Sequence, residues 1–173
     1  MRRLTVLIKL IAWCVIVGVS WLFGKRLSQN LKVRTDSLEM FCRALVLLES
    51  EITFSASSLD IAIKNIAASL GKSEVFLYIA KLVPEIGARG AWCEGIKKYR
   101  KDLCLTDEDM RILLSLSGEL GITDCENQVK IIRYVAELLK KAQDGAQEKL
   151  LSYSKLYTNV SVGIGAIFAI LLF

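Results

Sequence analysis

The sequence has no histidine. That absence removes Ser-His-Asp triads, Cys-His nucleophiles, HExxH metal sites and imidazole proton relays together. Proline occurs once and glycine eleven times in 173 residues, which argues against a turn-rich all-β fold. Cys14, Cys42, Cys93, Cys104 and Cys125 make an odd set with no CxxC pair. Neither a disulfide framework nor a zinc ribbon fits that count, and most of the five read as small buried hydrophobes. Disorder is excluded by a hydrophobic fraction of 53%, while 24% charged residues are too many for a polytopic transporter. The remaining option is a polar domain with a few very apolar segments.

Two such segments stand at the ends. Residues 4–23 read LTVLIKLIAWCVIVGVSWLF, 20 residues with Lys9 as the one charge. At 1.5 Å per residue that run spans about 30 Å, a bilayer core. Lys9 is near enough to its end to snorkel, and Trp21 suits the interface. As a signal peptide the run lacks an Ala-x-Ala site and is too long, so an uncleaved anchor is expected. Residues 156–173 read LYTNVSVGIGAIFAILLF, 18 residues without a charge. A buried core helix is the competing reading, but 165–173 carry no polar side chain, so every face would need burial. Tyr153, Tyr157 and Lys155 suit an interfacial belt. Ser161, Gly165 and Ala169, four apart, would let helices approach closely in lipid, and Ser20 with Gly24 forms a similar pair.

Charge sets the expected topology. Lys25, Arg26, Lys32 and Arg34 follow the first run, and Lys140, Lys141, Lys149 and Lys155 lead to the second; only Arg2 and Arg3 lie outside. The positive-inside rule then puts the middle in the cytoplasm and both termini across the membrane. The expected organisation is an N-terminal transmembrane helix at 1–24, a cytoplasmic helical domain at 25–155 and a C-terminal transmembrane helix at 156–173. All eighteen acids lie between the runs, so the formal +5 is mostly juxtamembrane. No basic face marks a nucleic-acid partner.

The middle has a helical period throughout. Leu38, Phe41, Leu45, Leu48 and Ile52 fall 3, 4, 3 and 4 apart, one stripe on a helix that can run back to the first apolar segment. Ser58 can cap a second helix with Leu59, Ile63, Ile66 and Leu70 on one face, stopped by Gly71. Ser73 can cap a third, with Phe76, Ile79 and Val83, which Pro84 ends or kinks. A break is expected in the GARG stretch, 87–90, and Trp92, Ile96, Tyr99 and Leu103 mark a fourth helix. Thr106 opens TDED as a cap, with Leu105 and Met110 as a hydrophobic staple. Thr123 opens TDCE, a capping box in which Glu126 reaches back. From it Val129, Ile132, Ala136, Leu139, Ala146, Leu150, Tyr153 and Tyr157 keep the rhythm, interrupted only at Gln143, and the helix is expected to enter the second apolar run. The fold class is all-α: a membrane-anchored bundle of about six helices.

Chemistry-bearing patterns are sparse. Gly71-Lys72-Ser73 spells the end of a P-loop, but its first glycine would fall on Ile66 inside a helix, so a helix break and a cap are expected instead. Glu49 and Glu51 point apart on a helix and do not make a two-acid site. Glu49 lies at the edge of the apolar stripe, as a half-buried acid paired with a Lys or Arg, and is a candidate partner contact. Asp107, Glu108 and Asp109 complement a helix dipole and lack the oxygen-rich loop of a calcium site. No catalytic residue, cofactor or metal is expected, and a membrane-tethered enzyme lacks an apparatus.

The runs RALVLLESEITFS (43–55), LGITDCENQ (120–128) and KLYTNVSVGIGAI (155–167), with an apolar segment at each end, resemble the stage III sporulation protein AB family. The resemblance covers nearly the whole chain and is most specific in its last third. It departs at Leu116-Ser117-Gly118 and at 159–163, which touches the packing of the second span. It implies a central domain similar to the helical domain of the F platform protein of type II secretion systems. It also implies a place in the mother-cell to forespore channel of endospore formers, in the outer membrane around the forespore. The implied partners are other stage III sporulation channel proteins and the secretion-type ATPase stage III sporulation protein AA, with room for a homo-oligomer. A membrane-tethered adaptor or lipid-binding helical module unrelated to secretion is the alternative.

Overall fold

A computed structural model of the chain describes the backbone of 2–54, 58–71, 73–119 and 125–172, and the side chains of 25–54, 58–71, 73–118 and 125–153. Among the described residues five helices follow one another: α1 (Arg2–Phe54), α2 (Leu59–Ser69), α3 (Glu74–Tyr99), α4 (Asp107–Glu119) and α5 (Cys125–Leu172). No strand occurs among the described residues. The chain divides into two units, Val33–Ala146 and the paired termini Met1–Lys32 with Gln147–Phe173. Among the described residues no helix is long and apolar enough to cross a membrane. The side chains of both apolar runs, 4–23 and 156–173, lie outside them.

The stripe on α1 is the spine of the Val33–Ala146 unit. Leu38, Phe41, Leu45 and Leu48 are at most 1% exposed and Ile52 is 7% exposed. They meet Ile63 and Ile66 of α2, Phe76, Ile79, Val83, Trp92 and Ile96 of α3, Met110, Leu113 and Leu116 of α4, and Ile132, Val135 and Leu139 of α5 in one core. Leu59 and Leu70 pack against it only partly buried. Gln143, where the α5 pattern breaks, is nevertheless buried and accepts a hydrogen bond from Lys140 Nζ at 3.3 Å. Within this unit α1 and α5 run antiparallel: Ile52 lies beside Cys125, and Glu49 beside Arg133.

Helix α3 is a hairpin in disguise. Its Gly87 has φ 71° and ψ 167°, a backbone region essentially reserved for glycine. Tyr78 and Tyr99 would stand about 31 Å apart on a straight helix, yet their ring centroids are 5.8 Å apart and Lys98 Nζ lies 3.6 Å from the Tyr78 centroid. Gly95 makes the return possible, because a Cβ there would sit 2.3 Å from Ile79 Cγ1. The expected break at 87–90 is therefore present, and Pro84 sits inside the first arm. Phe41, Phe76 and Trp92 join α1 to the two arms, with centroids 5.5–6.1 Å apart. Trp92 Nε1 donates to the Leu113 carbonyl at 2.9 Å, which ties the second arm to α4.

The caps differ from expectation in chemistry more than in place. Ser58 and Ser73 occupy the N-cap positions of α2 and α3, but neither side chain caps. Ser73 Oγ instead lies 3.0 Å from Met40 Sδ. Gly71, at φ 70°, follows α2 as the expected left-handed stop. Lys72 and Thr123 are outside the described residues. The cysteines correct the sequence reading: Cys42, Cys93 and Cys104 are half-buried and Cys125 is exposed. Small size did not carry them inside, because none falls on the centre of an apolar stripe.

Candidate functional site

Among the described residues a dense polar arrangement forms the corner between α3 and α4. Beyond Tyr99 the chain makes a further turn. The Leu105 amide donates to the Arg100 carbonyl at 3.0 Å, and the Cys104 amide donates to the Lys101 carbonyl at 3.1 Å. That pair of bonds is a Schellman closure, with Cys104 at its left-handed position, φ 52°. Thr106 follows at once as the N-cap of α4. Its hydroxyl accepts from the Asp109 amide at 3.2 Å, and the Asp109 carboxylate accepts from the Thr106 amide at 2.9 Å. The result is a reciprocal capping box with aspartate in the third helical position. Leu105 and Met110, the expected staple residues, are both buried.

The same carboxylate has a second task. Arg34 of α1 grips it with two parallel bonds, Nε to Oδ2 at 2.7 Å and Nη2 to Oδ1 at 2.9 Å. The Asp109 side chain is 0% exposed and that of Arg34 is 12% exposed. Burial alone would raise the Asp109 carboxyl. The Arg34 hydrogen bonds, the Thr106 amide and hydroxyl, and the guanidinium charge outweigh it and hold the carboxyl below its ordinary value. Arg34 is raised in turn, chiefly by its hydrogen bond to Asp109. The clip fixes α1, at the edge of its domain, to the start of α4. With three donors on one carboxylate, its chemistry is positional.

A second α1 ion pair lies farther along. Arg133 of α5 meets Glu49 Oε1 with both Nε and Nη2 at 2.7 Å, with side chains 63% and 27% exposed respectively. Glu51 takes a separate bond, from Asn65 of α2 at 3.1 Å. Glu126 is exposed and pairs with Lys130 at 2.8 Å, while its expected capping partner Thr123 lies outside the described residues. The side chains of Ser161, Gly165 and Ala169 lie outside them as well. An open apolar groove of about 450 Å³ is lined by Cys42, Arg43, Val46 and Leu47 of α1 with Ser69 and Leu70 at the end of α2. The Cys42 thiol at its edge is raised, mainly by burial. Among the described residues no group of three or more Cys, Asp or Glu is placed to hold a metal ion. Reasoning from sequence missed the Arg34–Asp109 clip. Thr-x-x-Asp at 106–109 was the available signal for the box, but nothing local announces a partner 75 residues away.

These features define a class: an all-α domain built on two terminal helices, with its buried charge spent on joining elements. Comparison with known proteins narrows it. The family model for stage III sporulation protein AB matches residues 9–173, and the chain belongs to that family. A solved structure titled stage III sporulation protein AB is similar, with a TM-score of 0.62 and 24% identity over 69% of this chain and 97% of that one. That likeness speaks for the fold. No curated protein matches the chain. Membership gives it a role in sporulation.

Proposed function

We propose that this protein is a non-enzymatic membrane platform component of the mother-cell to forespore channel. It assembles there with other stage III sporulation proteins and the secretion-type ATPase stage III sporulation protein AA. The observation that carries the reading is the extent of the family match, which runs from residue 9, within the first apolar run, through the helical domain to the end of the second run. The geometry supports a scaffold, since Asp109 and Arg34 are used to fasten helices rather than to meet a substrate. In this reading 1–24 and 156–173 are transmembrane helices, and 25–155 faces the mother-cell cytoplasm with a fold similar to the F domain. An affinity-tagged full chain, extracted in detergent from sporulating cells, is expected to retain the ATPase and other stage III proteins. Recovery with none of them would overturn the platform role. An impermeant thiol reagent is expected to reach exposed Cys125 once the mother-cell membrane alone is permeabilised; labelling only after the forespore membranes are also opened would invert the topology. Purified protein with ATP and magnesium is expected to show no turnover above buffer, and Lys72→Ala to sporulate normally.

A further inference from the structure

The charge of this chain follows the boundary between its two units. The terminal unit, Met1–Lys32 with Gln147–Phe173, holds eight basic residues and one acid, Glu148. Val33–Ala146 holds the other fifteen basic and seventeen acidic residues. The terminal unit is thus +7 and the larger one −2, so the whole positive excess resides in the former. Where its side chains are described, at 25–32 and 147–153, no residue is buried. Arg26, Lys32 and Lys149 are exposed there and make no ion pair among the described residues. Beside them Leu27 is 44%, Leu151 56% and Tyr153 38% exposed. Both segments adjoin the apolar runs in sequence.

Cations interleaved with uncovered apolar side chains fit a surface whose outer layer is anionic and whose inner layer is hydrocarbon. Nucleic acid would satisfy the cations and leave Leu27 and Leu151 in water. We infer that the segments 25–32 and 147–153 bind the headgroups of anionic phospholipids, with Arg26, Lys32 and Lys149 on phosphate and Leu27, Leu151 and Tyr153 at the acyl boundary. This rests on the membrane location in the reading above, not on its two spans, and adds a lipid preference to it.

The test uses the full chain in detergent, titrated separately with phosphatidylglycerol and phosphatidylcholine, with retained lipid counted by native mass spectrometry. The wild type is expected to prefer phosphatidylglycerol by about ten-fold or more at low salt, and less at high salt. The variant Arg26→Gln/Lys32→Gln/Lys149→Gln is expected to treat the two lipids nearly alike. A control, Lys64→Gln/Lys81→Gln/Lys101→Gln, removes the same charge from exposed positions of the other unit and is expected to keep the preference. Equal retention of both lipids by the wild type, or equal loss in both variants, overturns the inference. Carbonate extraction of native membranes separates the two readings. Protein that resists extraction yet shows no preference defeats the lipid inference alone. Protein that is stripped yet prefers phosphatidylglycerol defeats the spanning reading and upholds this one.

Discussion

Among the described residues two arginine–carboxylate pairs tie α1 to other helices, and they share almost nothing but distance. Both close to 2.7 Å. Asp109 is sealed from water and bonded on both oxygens, while Arg133 stands mostly in solvent. In water the Coulomb gain is small and ordering two long side chains consumes most of it. Inside the domain the pair repays its own desolvation only while it is complete, and removing one partner strands a buried charge. A distance therefore does not rank an interaction; burial and the count of satisfied lone pairs do.

The sharpest way to break this comparison is Arg34→Met, which keeps bulk and removes the cation. It is expected to cost about 3 kcal/mol, the low end for a broken buried pair because the carboxyl can protonate. Urea melts of a 25–151 fragment suit this, with Trp92 as its one tryptophan and the solved relative covering a similar share of the chain. The pH dependence is expected to flatten. In the wild type the folded carboxyl lies below its ordinary value, so its stabilisation is full above the ordinary carboxylate range and is lost as pH falls through the lowered value. Without the guanidinium only the Thr106 amide and hydroxyl oppose burial, so the carboxyl is held less far down. Its share of the stability lost at low pH shrinks accordingly. Acidification from neutrality should weaken the wild type more than the variant. Parallel pH profiles would show that Asp109 is not held as described.

Thr106→Ala comes next, at about 0.5–2 kcal/mol, the usual loss for an N-cap. Because Thr106 and Arg34 act on one carboxylate, the double variant should lose less or more than the sum of the singles. Strict additivity would mean that the box and the clip are independent.

How far these features could be read in advance depends on their range. The stripe from Leu38 to Ile52 was legible because a helix repeats a burial decision every three or four residues. The reversal at Gly87 was legible because glycine clusters mark backbone that other residues avoid. The Asp107–Glu108–Asp109 triplet was legible only as dipole chemistry. What separates Asp109 from its neighbours is its phase three residues after Thr106, together with an arginine on another helix. Ser58 and Ser73 fell at the expected positions without forming the expected bonds, since a cap residue fixes a boundary more reliably than its hydroxyl fixes a partner. Cys104 gave no signal at all: a left-handed cysteine looks like any cysteine in a sequence.

That cysteine supplies a smaller test of the same corner. An L-residue in left-handed backbone costs roughly 1–2 kcal/mol, and glycine escapes it at an entropic cost of roughly 0.5–1 kcal/mol. Cys104→Gly should therefore raise stability by about 0.5–1 kcal/mol while leaving the clip and its pH profile intact. A loss would mean that the half-buried thiol contributes more by packing than the backbone loses by strain.

Glu49→Gln should move stability least. The pair with Arg133 is 63% exposed on the arginine side, so the expected loss is about 0.2–0.5 kcal/mol, shrinking further in high salt. A loss near that of Arg34→Met would erase the distinction between the two pairs and imply that Arg133 is far better shielded in solution. Glu49 also stands as a candidate partner contact, and the small stability effect makes that question separable. If Glu49 meets a partner, the Gln variant should retain its fold and lose a large part of the ATPase or other stage III proteins in detergent pull-downs. If retention instead tracks the few tenths of a kcal/mol lost in melts, Glu49 serves only to lace α1 to α5, and the partner surface lies elsewhere on the domain.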